Sequence, residues 1–454
     1  MTLHIPTPDT LSRAVKMALD TGEVATVEAA HALFARYRLA VCVSPEAAAS
    51  PAHQAALLTM VNTGRRAFLG GVHVAGDLSA PLRAPLPGLG DSLGEAVERL
   101  GGRVVAVLPT DAPTVRLGAG PVSADAREAP LQLTFAHWQG GAFPVGEGER
   151  LAEPADAVLG AVLAGALAVG EAFQQVRGNP MAARREAGLS LWRPGEPWRA
   201  ATGPAVALAP SRLWLIGLGH LGQAYLWVLG LLPYADPSAV ELTLQDFDRL
   251  TAANDSTSVL TRLELAGQRK TREMAAWAEA RGFAVRMVER RFDGDVRLQP
   301  DDPRVALCGV DNLAARAALE DAGFDLVVEA GLGAGPQEYL AMRLHTFPAT
   351  VSARRRWGGD PGAAAAPPPH SAAYADLEAR GLARCGLIEL ASRTVGAPFV
   401  GVVAATLVVG EVVRRLAGGP ALEVIDLTLR DLTSRQMVPG APLTRFNPGF
   451  VDLD

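Results

Sequence analysis

Short apolar runs alternate with helix-length stretches along this 454-residue chain, in an order that occurs twice. In the first half the pattern predicts a helix over residues 24–37 and a buried strand over 39–44. A helix at 51–61, a strand at 67–74, a helix at 92–100 and a strand at 103–109 follow. Strands that alternate with helices predict a parallel α/β sheet. Residues 110–156 are rich in glycine, proline and alanine and carry one short predicted strand, 131–135, ahead of a helix over 158–173.

The second half opens more sharply. Leu213 to Ile216 is an unbroken apolar run, and Gly217-x-Gly219-x-x-Gly222 follows it, leading into the apolar stretch 223–232. A buried strand, a tight glycine turn and a helix is the order of a nucleotide loop, because glycine lets the backbone approach a phosphate and the helix start offers free N–H groups. The first half has no such turn. Its first strand runs into Ser44-Pro-Glu-Ala-Ala-Ala-Ser50, and Gly70-Gly71 falls inside a predicted strand. Further strands are predicted at 240–245, 304–308 and 326–329, the last ending in Gly331-x-Gly333-x-Gly335.

Ala164-Gly-Ala-Leu-Ala-Val-Gly-Glu171 aligns without gaps onto Ala404-Ala-Thr-Leu-Val-Val-Gly-Glu411. Each is followed by a Leu-x-Leu segment, at Leu189 and Leu427. The repeat predicts two related α/β domains, 1–195 and 196–454. A Pro, Gly and Ala-rich linker covers 194–210. A mobile crossover loop is expected over about 351–384, where Arg354-Arg-Arg-Trp357 precedes an alanine run and Pro367-Pro-Pro369.

Charge and cysteine content narrow the function classes. A net charge of -6 argues against a general nucleic-acid binder, which needs a basic face. Three widely spaced cysteines, Cys42, Cys308 and Cys385, provide neither a disulfide framework nor a zinc site. Of three apolar stretches, 157–170 and 399–410 are too short to span a membrane, and 213–235 reads as strand, turn and helix. With no apolar leader core at the N-terminus, a cytoplasmic protein without membrane contact is expected.

The candidate chemistry lies after the glycine loop. Asp246 follows a strand, where a Rossmann site holds a ribose hydroxyl, and Asp248 is two residues on. That much would suit a NAD-dependent dehydrogenase. Asn254, Arg262 and Lys270 then come in quick succession, and cations beside a triphosphate neutralise it, although each alone also reads as a solvated helix face. Asp311, at another strand end, suits Mg2+ against phosphates, or equally a helix cap.

Taken together, Gly217-x-Gly219-x-x-Gly222, Asp246-x-Asp248, Asn254, Gly267-x-x-Lys270, Asp311-Asn312-x-x-x-Arg316 and Gly331-x-Gly333 resemble the adenylation domain of ubiquitin-activating enzymes and of the bacterial ThiF, MoeB and HesA proteins. Cys385-Gly and Val395-Gly-Ala-Pro-Phe-Val-Gly401 are similar to that family's cysteine-bearing crossover and closing helix. The resemblance covers roughly residues 211–430. It implies ATP and Mg2+, attack of a ubiquitin-like protein's C-terminal glycine carboxylate on the α-phosphate, then a thioester on a cysteine and transfer to a conjugating enzyme. By match, Asp246 binds ribose, Lys270 and Asn254 the phosphates, and Asp311 the Mg2+, with Asn312 beside it at the nucleotide. Cys385 is the candidate nucleophile, with Arg384 beside it favouring the thiolate. Its bland reading is a small buried residue.

Two departures stand out. Thr257 occupies the place where the family has an arginine, for which Arg262 is the expected substitute, and the family's zinc-binding cysteine pairs are absent. The resemblance also implies an internal pseudo-dimer of two Rossmann-like, ThiF-type domains in which the first half, 1–195, is degenerate and inactive and lends an arginine to the phosphates, with Arg13, Arg36 and Arg38 as candidates. An adenylating enzyme that forms no thioester and acts on a peptide or small carboxylate stays open. So do the dehydrogenase, a non-catalytic scaffold, and pairing of two chains as a homodimer.

Overall fold

The computed structural model describes residues 7–120, 130–358, 371–443 and 445–453. Its first half runs α1 (Arg13–Asp20), α2 (Val27–Phe34), β1 (Arg38–Val43), α3 (Pro45–Ala49), α4 (Pro51–Ala67), β2 (Gly71–Ala75), α5 (Leu93–Arg99) and β3 (Arg103–Val104). Then come β4 (Thr114–Leu117), β5 (Leu131–Phe135), β6 (Gln139–Pro144), α6 (Val158–Val176) and β7 (Ala187–Ser190). The seven strands form one sheet in the order β3-β2-β1-β4-β5-β6-β7, parallel up to β5 and antiparallel beyond it.

The second half begins with β8 (Leu208–Pro210), β9 (Arg212–Ile216), α7 (His220–Leu231), β10 (Glu241–Gln245), α8 (Lys270–Ala280) and β11 (Ala284–Val288). It continues through β12 (Val305–Cys308), α9 (Leu313–Ala317), β13 (Leu326–Leu332), β14 (Ala341–Phe347), α10 (Ala353–Trp357), α11 (Ala372–Ala379) and α12 (Arg384–Ser392). It closes with α13 (Pro398–Leu416), β15 (Leu422–Thr428), β16 (Asp431–Pro439) and β17 (Phe450–Asp452). Its sheet, β11-β10-β9-β12-β13-β14-β15-β16, repeats the first one strand for strand and adds β16 at the edge. The parallel-to-antiparallel change falls at the same place, between β13 and β14. Two Rossmann-like α/β units in one chain, expected from the repeat, are what the topology shows.

The repeated octapeptide has a physical role in both copies. Glu171 of α6 accepts from the N–H of Ala183 at 2.9 Å and from Arg185 at 2.9 Å. Glu411 of α13 accepts from the N–H of Leu422 at 3.2 Å, from Arg415 at 2.7 Å and from Arg414. Each glutamate fastens the end of a long core helix to the chain leading into the next strand.

Those two helices are apolar almost all round because they are covered all round. α4 and α6 of the first unit pack on α7 and α13 of the second. Phe173 meets Phe399 with ring centroids 5.5 Å apart, and Trp227 Nε1 donates to Thr59 Oγ at 3.0 Å. Among the described residues one helix, α6, has the length and apolarity to cross a membrane, and it is buried in this interface.

Local differences from expectation have local causes. β4 and β6 emerge from the stretch read as irregular, and β6 carries Gly140-Gly141. A Cβ on Gly140 would lie 2.3 Å from the carbonyl oxygen of Gly160, so glycine here permits contact between β6 and α6 instead of marking a loop. β2 starts only at Gly71, because α4 runs on to Ala67, and β3 is two exposed residues. The stretch expected as a crossover loop holds α10 and α11, and its residues 359–370, with Pro367-Pro-Pro369, lie outside the described residues.

Candidate functional site

At the carboxyl edge of the second sheet, β9 ends in Ile216 and the chain turns at Gly217, whose φ of +84° favours glycine. A Cβ on Gly222 would stand 1.9 Å from the Gly217 carbonyl oxygen. Gly222 is therefore the packing glycine beneath the turn, whereas Gly217 and Gly219 line a cavity of about 870 Å³. α7 starts immediately beyond, with Gly219 as its N-cap.

The strand ends of β10 and β12 carry the acids. Asp246 is buried, its two oxygens accepting from the backbone N–H groups of Leu218 at 2.7 Å and Asp248 at 2.8 Å. It thereby pins the glycine turn to the end of β10. Lys270, the first residue of α8, brings Nζ to 2.8 Å from Asp248 and 3.7 Å from Asp246. Asn254 sits in the short turn Ala252–Ser256, and its oxygen accepts from Thr251 N–H at 2.9 Å.

Asp311 follows β12 and is exposed. The residue that caps α9 is Asn312, which accepts from Ala315 N–H at 3.0 Å. Asp311 is thus spared the capping role, and no hydrogen bond or ion pair engages its carboxylate among the described residues. Behind it, Arg316 pairs with the fully buried Glu329 at 3.0 Å, and Glu329 with His345 at 3.0 Å.

The structure brings Gly217, Gly219, Asp246, Asp248, Asn254, Lys270, Asp311 and Asn312 to one cavity. It does not bring Arg262 there. Arg262 donates to the Arg99 carbonyl at 2.7 Å, because after Thr257 the chain turns away towards the first unit. Cys385 lies in the first turn of α12, not on a loop; it is exposed and absent from the cavity lining. Cys308 is the buried cysteine, its thiol pushed up to about 12 by burial and the nearby Glu329 charge.

The first unit reaches the site from outside. Of the three candidate arginines only Arg13 lines the cavity, while Arg38 is 3.4 Å from Asp111. Residues with no local sequence signal join it, among them Arg290, Arg291 and Arg393. The equivalent edge of the first sheet is closed. Ser44 caps α3 there, a Cβ on Gly118 would lie 2.0 Å from Ser44 Oγ, and Glu46 accepts from Ala119 N–H at 2.7 Å. A carboxylate and a short helix stand where the second unit has its glycine turn.

Family models for the BilD N-terminal domain and the BilD C-terminal domain match residues 38–191 and 209–419. A relative described as bacterial E1-like protein BilD, from Collimonas sp. (strain OK412), is 44% identical over 431 residues, which is 93% of each chain. Among solved structures, E. coli tRNA N6-threonylcarbamoyladenosine dehydratase, TcdA, is similar at 14% identity and a TM-score of 0.31, over 46% of this chain and 86% of that one. Another, described as TcdA (CsdL), has 18% identity and a TM-score of 0.22, over 24% and 42% of the two chains.

Proposed function

Since the chain belongs to the BilD family of bacterial E1-like proteins, we propose that it activates the C-terminal carboxylate of a ubiquitin-like protein with ATP. In this reading residues 196–454 are the active adenylation unit and residues 1–195 an inactive partner that completes its site. One observation carries the reading: Asp311, an exposed carboxylate with no partner among the described residues, shares a cavity with a glycine turn and a set of cations drawn from both units.

The roles follow from the geometry. Gly217 and Leu218 donate their N–H groups to Gln245 and Asp246, so the N–H groups at the start of α7, from Gly219 to Leu221, cradle phosphate. Asp246 has both oxygens engaged by backbone donors, so a ribose hydroxyl would donate to a remaining lone pair. Asn254 has given its oxygen to Thr251, so a phosphate oxygen would accept from its amide NH2. Lys270 and Arg13 neutralise the polyphosphate. Mg2+ is ordinarily held by one or two carboxylates plus phosphate oxygens, which suits a lone free Asp311 with Asn312 beside it. When bound, the ion would offset charge on the phosphates.

A substrate carboxylate oxygen attacks the α-phosphorus, the bond from that phosphorus to its bridging oxygen breaks, and pyrophosphate leaves. The Cys385 thiolate then attacks the acyl carbon, AMP departs with its phosphate oxygen, and the thioester passes to a conjugating enzyme. A second reading stops at the acyl-adenylate, favoured by the place of Cys385 outside the cavity lining.

Pyrophosphate exchange into ATP, dependent on a ubiquitin-like protein ending in glycine, tests both readings. Asp311→Ala is expected to lower exchange by about a hundredfold or more, in line with losing a metal or phosphate contact made in the transition state. Cys385→Ala is expected to retain exchange and lose a thiol-labile adduct. Exchange untouched by Asp311→Ala removes its metal role, and an adduct that survives Cys385→Ala removes the thioester step.

A further inference from the structure

Arg13 and Arg393 line the same cavity from two different parts of the chain, α1 of the first unit and the end of the helix that carries Cys385. The two elements are docked on each other: Lys16 of α1 donates to the carbonyl of Ala391 in the last turn of α12 at 3.3 Å. Further contacts extend this docking, with Tyr374 of α11 donating to Asp20 at 2.7 Å and Arg380 pairing with Glu28 at 2.9 Å. The start of α1 is also tied to the turn bearing Asn254, since Ala253 N–H donates to the Asp9 carbonyl at 2.7 Å and Arg13 N–H to Ser256 Oγ at 2.9 Å.

Neither guanidinium is fully used. Among the described residues, Arg13 Nη1 is buried with no hydrogen-bond partner, and its Nη2 donates to the Pro8 carbonyl at 3.2 Å. Arg393 meets one carboxylate, Glu389, at 3.0 Å, on the exposed side of α12. Burial and the Arg393 charge hold Arg13 down to about 10, offset in part by Asp9. Two cations that face one cavity and keep a donor in hand are stabilised by an anion that accepts from both. The stretch from Arg393 to Gly396 also lies over Thr257: a Cβ on Gly396 would be 3.0 Å from Thr257 Cγ2. Thr257 brings no charge, so the cation at this part of the wall is Arg393.

We propose that Arg393 is a phosphate-binding residue, forming with Arg13 a two-guanidinium subsite for the terminal phosphates of the nucleotide. This rests on the adenylation reading above. Because Arg393 is the C-cap of α12, about 12 Å along the helix from Cys385 at 1.5 Å per residue, a filled subsite also ties the cysteine helix to the nucleotide cavity.

The probes are Mg2+-pyrophosphate and Mg2+-ATP on the full chain, with affinity measured by calorimetry and Cys385 alkylation followed by peptide mass mapping. Wild type is expected to bind both, with alkylation of Cys385 slowed severalfold by pyrophosphate. Arg393→Gln should weaken pyrophosphate binding by about tenfold or more, the value of a charge-assisted hydrogen bond, and abolish the alkylation effect. Arg393→Lys should recover part of the affinity. Glu389→Gln, which frees Arg393 without removing it, should bind pyrophosphate as tightly as wild type or more so. Wild-type affinity in Arg393→Gln overturns the inference and leaves the adenylation reading standing, whereas a wild-type chain that binds neither probe overturns the reading itself. Alkylation that ignores pyrophosphate overturns the tie to α12.

Discussion

His220 follows the second glycine of the loop and shows how one side chain couples the glycine turn to the core. Its ring packs on α13, where a Cβ on Gly401 would come within 2.3 Å of Nε2. Burial pushes its pKa down to about 4, against a smaller upward pull from the backbone of Pro398 and Ala397. The unfolded chain takes up this proton near pH 6.5, whereas the folded chain does so only near 4. Stability from this group is thus complete above about 6.5 and is lost as pH falls towards 4, by up to about 3 kcal/mol. Urea melts of wild type and His220→Gln between pH 7 and 4.5 should differ in slope, wild type losing more; equal slopes would refute the assignment. At this scale the sequence was legible wherever a residue works through its neighbours in the chain. The glycines, Asp246, Lys270 and Asp311 lie at strand and helix ends that apolar patterning marks. Arg13 was legible only as one of three, and Arg393 not at all, because both are brought to the cavity by packing between distant segments. Arg262 misled for the same reason, since its contact is a carbonyl of the other unit.

The element that matters most between the units is the last turn of α4. Arg66 is buried there and donates to the carbonyls of Asp255 at 2.7 Å, Thr261 at 2.8 Å and Val259 at 3.2 Å. Arg65 pairs with the Asp255 carboxylate at 2.6 Å. Together they hold the segment that bears Asn254 and Thr257, so an element of the first unit shapes the wall of the second unit's cavity. Arg66→Met takes the donor from the Asp255 and Val259 carbonyls and leaves Thr261 to the longer 3.4 Å contact with Arg65, and should cost about 3 kcal/mol or more of stability. It should also raise the KM for ATP in exchange assays more than it lowers kcat; an unchanged KM would show that the clamp does not shape the site. This role could not be read from the sequence, where Arg65-Arg66 is an ordinary basic helix end. Glycine misread as loop in β6 is the same lesson for strands, because only the neighbouring helix explains why a side chain is excluded.

For the whole molecule, the two units share a buried helical interface, and the cavity at the second sheet's edge takes residues from both. The octapeptide repeat made this duplication legible, because both helices are buried on all faces and both glutamates fasten the same connection. Cutting the chain within the linker and co-expressing the pieces, residues 1–200 and 201–454, should give fragments that co-purify and support exchange. The second fragment alone should lose exchange, lacking Arg13 and Arg66, and should expose the apolar faces of α7 and α13. Full exchange by that fragment alone would show that the first unit is dispensable.

The covalent joining of the two units has a further consequence, for how the protein varies. In a dimer of identical subunits, every substitution at the shared interface appears twice, once in each setting, and must be tolerable in both. Here each copy mutates independently. The end of α4 can carry Arg65-Arg66 while the corresponding helix α7 ends in Leu229-Gly230-Leu231, and the edge of one sheet can close behind Ser44 and Glu46 while the other stays open. Joining the units in one chain thus lets the two sides of a shared interface diverge codon by codon, one sheet edge staying open while the other closes.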